Sequence, residues 1–213
     1  MKPHCYAPWN HLFYLGQGGV AKPCCNWTGD VYTGDVSEYY ESDYLTQIKQ
    51  DMFEKKNINT TCHECAFKEK IHGSSSRTAI NDSTERGNYS ETKLSKLDIR
   101  PSNKCNLKCV MCTAEFSSLI EEEQIKQNII EPLNIQTFDF ETLDTSELCV
   151  LKLLGGEPTI TNDVDDIIDF IESKGIIHNV ALEYTTNGTS INNRWLNKIK
   201  NFRKVDVVIS LDG

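Results

Sequence analysis

Leu94-Ser95-Lys96-Leu97-Asp98-Ile99, then Arg100-Pro101-Ser102-Asn103-Lys104, then Cys105-Asn106-Leu107-Lys108-Cys109-Val110-Met111-Cys112, is the stretch that decides the architecture. Its first six residues alternate apolar and polar side chains, the period of a half-buried β-strand. Pro101 and Asn103 break that strand, and three thiols follow on the loop that leaves it, at spacings of four and three residues. A segment this polar is not a core strand. A site built from three thiolates is the natural reading of the spacing.

Downstream, the pattern is regular. Ala114 to Glu131 predicts a helix with Phe116, Leu119, Ile120 and Ile129 inward, stopped by Pro132. Leu148 to Leu154 predicts a buried strand that runs into Gly155-Gly156-Glu157-Pro158. Asp163 can cap the next helix, in which Val164, Ile167, Ile168 and Ile171 keep helical spacing and which Gly175 closes. Val180 to Thr186 predicts a strand ending in Asn187-Gly188-Thr189, Ile191 to Ile199 a helix, and Val205 to Leu211 a fourth strand. Alternating strands and helices argue for a parallel sheet of βαβ units, an α/β fold whose chemistry lies at the carboxyl ends of the strands. Cys105–Cys112, Gly155–Pro158, Thr186–Gly188 and Ser210–Gly213 all fall at that edge.

The amino-terminal part differs. Two short apolar runs flank Gly16-Gln17-Gly18-Gly19 and predict a small hairpin, and a helix is expected from Asp43, with Tyr44, Leu45, Ile48, Met52 and Phe53 as its apolar stripe. Cys5, Cys24, Cys25, Cys62 and Cys65 lie here. Residues 73–93 are poor in apolar side chains and read as a linker, placing a boundary near residue 92: a small cysteine-rich α+β domain over 1–92, then an α/β core over 93–213.

Composition narrows the function. A formal net charge of −9 and the lack of a Lys/Arg run exclude a basic nucleic-acid footprint. No stretch of 18 apolar residues and no signal-peptide core occur, so the expected location is cytoplasmic, without a membrane. Nine cysteines in such a chain favour metal or cluster ligation over disulfides. Three thiolates can hold a cubic iron–sulfur cluster and leave one iron open, whereas zinc or unlinked thiols are the plainer alternatives.

Cys105-x-x-x-Cys109-x-x-Cys112 after the first core strand, with Gly155-Gly156-Glu157-Pro158 after the second, resembles the radical S-adenosylmethionine (radical SAM) superfamily over residues 94–213. The resemblance implies a partial (β/α) barrel in which Cys105, Cys109 and Cys112 bind a 4Fe-4S cluster. It also implies SAM on the fourth iron, cleaved by one electron to methionine and a 5′-deoxyadenosyl radical that takes a substrate hydrogen. Gly155, Gly156 and Glu157 would hold the SAM amino group, Asn187, Ser210 and Asp212 would touch the rest of SAM or the substrate, and Met111 would cover the adenine.

The amino-terminal thiols resemble the twitch/SPASM auxiliary-cluster domains of some members. Cys5, Cys24, Cys62 and Cys65 would then carry a second 4Fe-4S cluster, with Cys25 spare or replacing Cys24, or alternatively zinc. Members of this type suggest a peptide or protein substrate, or a small metabolite, and an electron donor such as a flavodoxin or ferredoxin. Such barrels have six βα units and about four are legible here, so the chain is expected to be a C-terminally incomplete fragment or to be completed by another polypeptide. A non-catalytic iron–sulfur or zinc protein, serving electron transfer or interaction, is the rival reading.

Overall fold

The computed structural model describes residues 2–136 and 138–211. It is an α/β structure around one six-stranded sheet in the order β2-β1-β3-β4-β5-β6. The strands are β1 (His11–Leu15), β2 (Val20–Lys22), β3 (Lys96–Arg100), β4 (Val150–Leu153), β5 (Ala181–Thr186) and β6 (Lys204–Ile209). β3 to β6 run parallel in sequence order, as the alternating pattern predicts. The amino-terminal hairpin is also present, with β2 antiparallel to β1. Its first strand, however, pairs in parallel with β3 from His11↔Lys96 to Leu15↔Arg100. One sheet therefore runs across residue 92.

The eight helices are α1 (Ala7–Asn10), α2 (Asp43–Glu54), α3 (Ile58–Thr61), α4 (His63–His72), α5 (Ser76–Glu85), α6 (Ser118–Lys126), α7 (Asn162–Ser173) and α8 (Asn193–Ile199) among the described residues. Three short 3-10 turns lie at 36–41, 158–160 and 177–179.

Because strand side chains alternate between faces, the sheet has two distinct surfaces. One carries Leu12, Tyr14, Leu97, Ile99, Leu151, Leu153, Leu182 and Tyr184, which form the main core with α7 and α8. Val164, Ile167, Ile168 and Ile171 of α7 are fully buried there, each contributing about 1.5–3 kcal/mol. The other surface carries His11, Lys96, Asp98, Arg100, Lys152 and Glu183, in the register Phe13–Asp98–Lys152–Glu183 from β1 to β5. A second apolar cluster, of Cys5, Tyr6, Ala7, Trp27, Ile48, Met52 and Ile80, lies wholly within the amino-terminal residues, with Cys24 and Cys62 packed against it.

Several local expectations are corrected. Residues 76–85, read as linker, are the helix α5, opened by a Ser75/Thr78 capping box. Apart from Ile80 in the second apolar cluster its anchoring contacts are polar, which hid it: Asn81 Nδ2 donates to the His4 carbonyl (3.0 Å), Asn81 Oδ1 accepts from Tyr6 N (3.0 Å), and Thr84 Oγ1 accepts from Asn10 (2.9 Å). The helix expected over 114–131 covers only 118–126. Residues 113–116 form a turn, Asn128 adopts a left-handed φ of 57°, and Ile129 is exposed rather than inward. Thr161, not Asp163, caps α7, accepting from Asp163 N. On β6 the side chains of Val207, Val208 and Ile209 are exposed.

Candidate active site

β3 ends at Arg100, and the loop it releases is pinned by the start of α6. Ser118 N donates to the Asn103 carbonyl (2.8 Å), and the Asn103 amide donates to Ala114 O (2.9 Å) and Glu121 Oε2 (2.6 Å). Ser117 Oγ donates to Leu107 O (2.7 Å), and Cys105 N donates to Ser118 Oγ (3.3 Å). Inside the loop, Cys112 N donates to Cys109 O (3.0 Å). This frame leaves Cys105, Cys109 and Cys112 half-buried while Val110 and Met111 stand out into solvent.

Gly155-Gly156-Glu157-Pro158 leaves β4 directly against this loop. Gly156 N donates to Ser102 O (3.2 Å) and Glu157 N to Lys104 O (2.8 Å). A Cβ at Gly156 would sit 2.2 Å from the Lys104 carbonyl oxygen, and one at Gly155, which has φ 121°, would sit 2.6 Å from Ser102 O. Both glycines are thus required by the approach of one protein backbone to another.

Glu157 is buried at 1% exposure. Its Oε1 accepts from Thr159 N (3.2 Å), Thr159 Oγ1 (2.6 Å) and Thr186 Oγ1 (2.6 Å), and its Oε2 accepts from Asn187 N (2.7 Å). A buried carboxylate must be paid for by such donors, and here they come from the exits of β4 and β5. Asn187 carries the link onward, donating from Nδ2 to Asn106 Oδ1 (2.9 Å), while Asn106 Nδ2 donates to Thr189 Oγ1 (2.9 Å). Glu157, Asn187 and Asn106 thereby tie three strand-end loops together.

These loops enclose a cavity of about 380 Å³. Cys105, Cys109, Cys112, Met111, Gly155, Gly156, Asn187 and Ser210 line it, with Phe116, Leu154 and Thr185 among the others. Glu157 stands behind this wall rather than in it. Asp212 lies outside the described residues. Sequence alone assigned Thr159 and Asn106 no role and Thr186 only a place at that edge, because the bonds from Thr186 to Glu157 and from Asn187 to Asn106 join residues 29 and 81 positions apart.

The second thiol group is more deeply set. Cys5 and Cys65 are buried, Cys24 and Cys62 half-buried, and each of the nine cysteines is a thiol rather than half of a disulfide. Burial pushes the Cys5 thiol up to about 12, with Cys62 and Cys65 adding to the rise. Burial also raises Cys24, followed by its neighbours Cys5 and Cys25, and raises Cys62. Ala7 N donates to Cys5 Sγ (3.4 Å) and Asn26 Nδ2 to Cys65 Sγ (3.9 Å). Cys25 faces elsewhere: burial raises its thiol, then Asp98, and Lys152, Lys96 and Arg100 oppose the rise. Adjacent in sequence, Cys24 meets the thiol set and Cys25 the charged sheet face. His63 is exposed, and Cys149 lies beside Ser95 O (3.3 Å), apart from both groups.

Among the described residues no group of three or more His, Cys, Asp or Glu side chains converges on a single metal ion. Three half-buried thiols on the wall of one cavity are a donor set that suits a cluster whose irons each take one thiolate.

No family model and no solved structure matches the chain. It is similar to mycofactocin maturase MftC of Mycolicibacterium smegmatis, at 28% identity over 109 residues, 51% of this chain and 25% of that protein. It is similar to 7,8-dihydro-6-hydroxymethylpterin dimethyltransferase of Methanocaldococcus jannaschii, at 24% over 186 residues, 86% of this chain and 32% of that protein. A cysteine-type anaerobic sulfatase-maturating enzyme of Clostridium novyi is 30% identical over 126 residues, 54% of this chain and 32% of that protein. The chain spans about a quarter to a third of the length of these curated relatives. Relatives of this kind are radical SAM family enzymes, which supports an enzyme of that class.

Proposed function

We propose that the chain carries the cluster-binding part of a radical SAM enzyme, with residues 93–213 as core and 1–92 as an auxiliary-cluster module of twitch/SPASM type. The observation that carries the reading is the single cavity lined by Cys105, Cys109, Cys112, Gly155, Gly156, Asn187 and Ser210 at the carboxyl ends of parallel strands. Cys105, Cys109 and Cys112 hold a 4Fe-4S cluster, which supplies one electron to bound SAM. The Gly155–Gly156 backbone fixes the wall opposite the cysteines, where an ammonium can donate to strand-end carbonyls. Asn187 and Ser210 offer polar groups on the β5 and β6 side. Glu157 acts through Asn187 and Asn106 and sets the spacing between the loops.

Cys5, Cys24, Cys62 and Cys65 hold the second group. Cys5, Cys24 and Cys62, whose thiols burial raises, and the buried Cys65 beside them are stabilised when a metal centre takes their protons' place. The maturases among the relatives favour a peptide or protein substrate. An electron donor of flavodoxin or ferredoxin type supplies the reductant, in the cytoplasm. No helix among the described residues is long and apolar enough to cross a membrane.

Anaerobic reconstitution, followed by iron and sulfide analysis and then SAM with reductant, tests the reading. About eight irons per chain and formation of 5′-deoxyadenosine are expected. The Cys105→Ala/Cys109→Ala/Cys112→Ala variant must lose the product and about half the iron; retention of either overturns the assignment. Four irons with one zinc would identify the amino-terminal group as zinc.

A further inference from the structure

Arg100 is the last residue of β3, on the charged face of the sheet, immediately before the loop that carries the three cysteines. Its guanidinium carbon lies 5.3 Å from the ring centre of Phe13 and 5.1 Å from that of Phe116. Aromatic contacts of this kind hold a guanidinium while leaving its N–H edge for hydrogen bonding. The Nε atom is fully buried and has no acceptor.

The neighbouring cations are matched. Lys96 pairs with Glu183 at 3.1 Å, and Lys152 stands 3.8 Å from Asp98. Among the described residues Arg100 pairs with no carboxylate. An unpaired, part-buried guanidinium is costly, and this one sits in a chain whose net charge is −9.

Its location says what it serves. Phe116 lines the cysteine cavity, so Arg100 adjoins that space. Phe13 belongs to β1, and Cys25 of the amino-terminal part is close enough to feel the Arg100 charge. Gly155, Gly156, Asn187 and Ser210 instead lie beyond the ends of β4, β5 and β6. The backbone of Arg100 borders Gly155, a Cβ there falling 3.8 Å from the Arg100 Cα, while its guanidinium is held toward β1, over Phe13 and Phe116.

We propose that Arg100 is a substrate-binding residue that grips a carboxylate borne by the substrate, beside the cysteine cavity. The planar fork of the guanidinium matches a carboxylate in two parallel hydrogen bonds. One unpaired cation matches one negative charge, and the Asp98 carboxylate on the same face would repel the second charge of a phosphate. This inference rests on the cavity being the reaction chamber.

Arginine-specific modification by phenylglyoxal, mapped by mass spectrometry on the anaerobically reconstituted full chain without reductant, tests it. N-acetyl-L-alanine is the carboxylate probe, its neutral amide the control, and inorganic phosphate and SAM the competitors. At a probe concentration twice its dissociation constant, modification of Arg100 should slow about threefold. The exposed Arg86 should react at an unchanged rate. Equal protection by the neutral amide, stronger protection by phosphate, protection by SAM alone, or no reaction at Arg100 without ligand would each overturn the proposal. Arg100→Lys, which keeps the charge but not the fork, should lose the difference between carboxylate and amide in calorimetric titration. Loss of 5′-deoxyadenosine formation with Arg100 protection intact would count against the enzyme reading alone.

Discussion

Replacing Glu157 by glutamine keeps the shape of the side chain and changes one oxygen to an NH2 group. In the native structure three donors meet Oε1 and the Asn187 N–H meets Oε2 at 2.7 Å. A glutamine can present its remaining oxygen to only one of these two sides. If it faces the two threonines, its NH2 points at the Asn187 N–H, two donors in a volume with 1% exposure. If it turns over, both threonine hydroxyls lose their acceptor. Either orientation forfeits at least one bond to a charged group, about 1.5–3 kcal/mol, and leaves a buried donor unsatisfied, about 1–3 kcal/mol. With partial relaxation we expect Glu157→Gln to cost about 2–4 kcal/mol, which for a chain of this size lowers Tm by roughly 4–16 °C. Circular dichroism melting of wild type and variant, each measured with and without reconstitution, reads the loss and separates it from metal linkage. Because Asn187 and Asn106 depend on Glu157, iron binding by the cysteine loop should weaken in parallel. A fall of less than about 1 kcal/mol, with iron content retained, would refute the reasoning that this carboxylate ties the loops together.

Gly156→Ala places a methyl 2.2 Å from the Lys104 carbonyl, so the cysteine loop must move. A loss of about 3 kcal/mol or more is expected, with iron content falling by about half while the amino-terminal group stays filled, as read by iron analysis and melting. Cys24→Ser should remove the amino-terminal metal, whereas Cys25→Ser should leave total iron unchanged; equal effects would disprove the separation of these two thiols. Burial pushes the His11 imidazole down to about 3 from its ordinary 6.5, with Lys96 and Lys152 adding to the fall. Between those values the unfolded chain binds a proton that the folded chain does not, so stability drops as pH falls. The slope approaches about 1.4 kcal/mol per pH unit below 6.5, and denaturant unfolding at pH 6.5 and 5 should differ by about 1.6 kcal/mol more in wild type than in His11→Gln.

Much of the core was legible because its signals are local. The period-2 pattern of 94–99, the helical spacing of Val164, Ile167, Ile168 and Ile171, and the two glycines after β4 are each written within a few residues. Three thiols on a strand-exit loop, and their meeting with Gly155–Gly156 at one sheet edge, follow from the βαβ order alone. α5 escaped notice because, apart from Ile80, polar side chains hold it. The longer helix expected around 114–131 failed because Asn128 turns left-handed and the preceding residues serve the cysteine loop.

Sequence alone therefore determined which residues could form the site and on which strand ends they sit, because strand order and side-chain alternation are consequences of local pattern. Only the tertiary structure decided what each does there. It joined β1 to β3 through backbone hydrogen bonds that no side-chain pattern specifies. It turned Cys24 and Cys25 to different environments. It also buried Glu157 under donors from two strand ends and left Arg100 between two rings without a carboxylate. Such outcomes depend on contacts between residues tens of positions apart, and burial, which sets the cost of every unpaired charge, exists only once those contacts have formed.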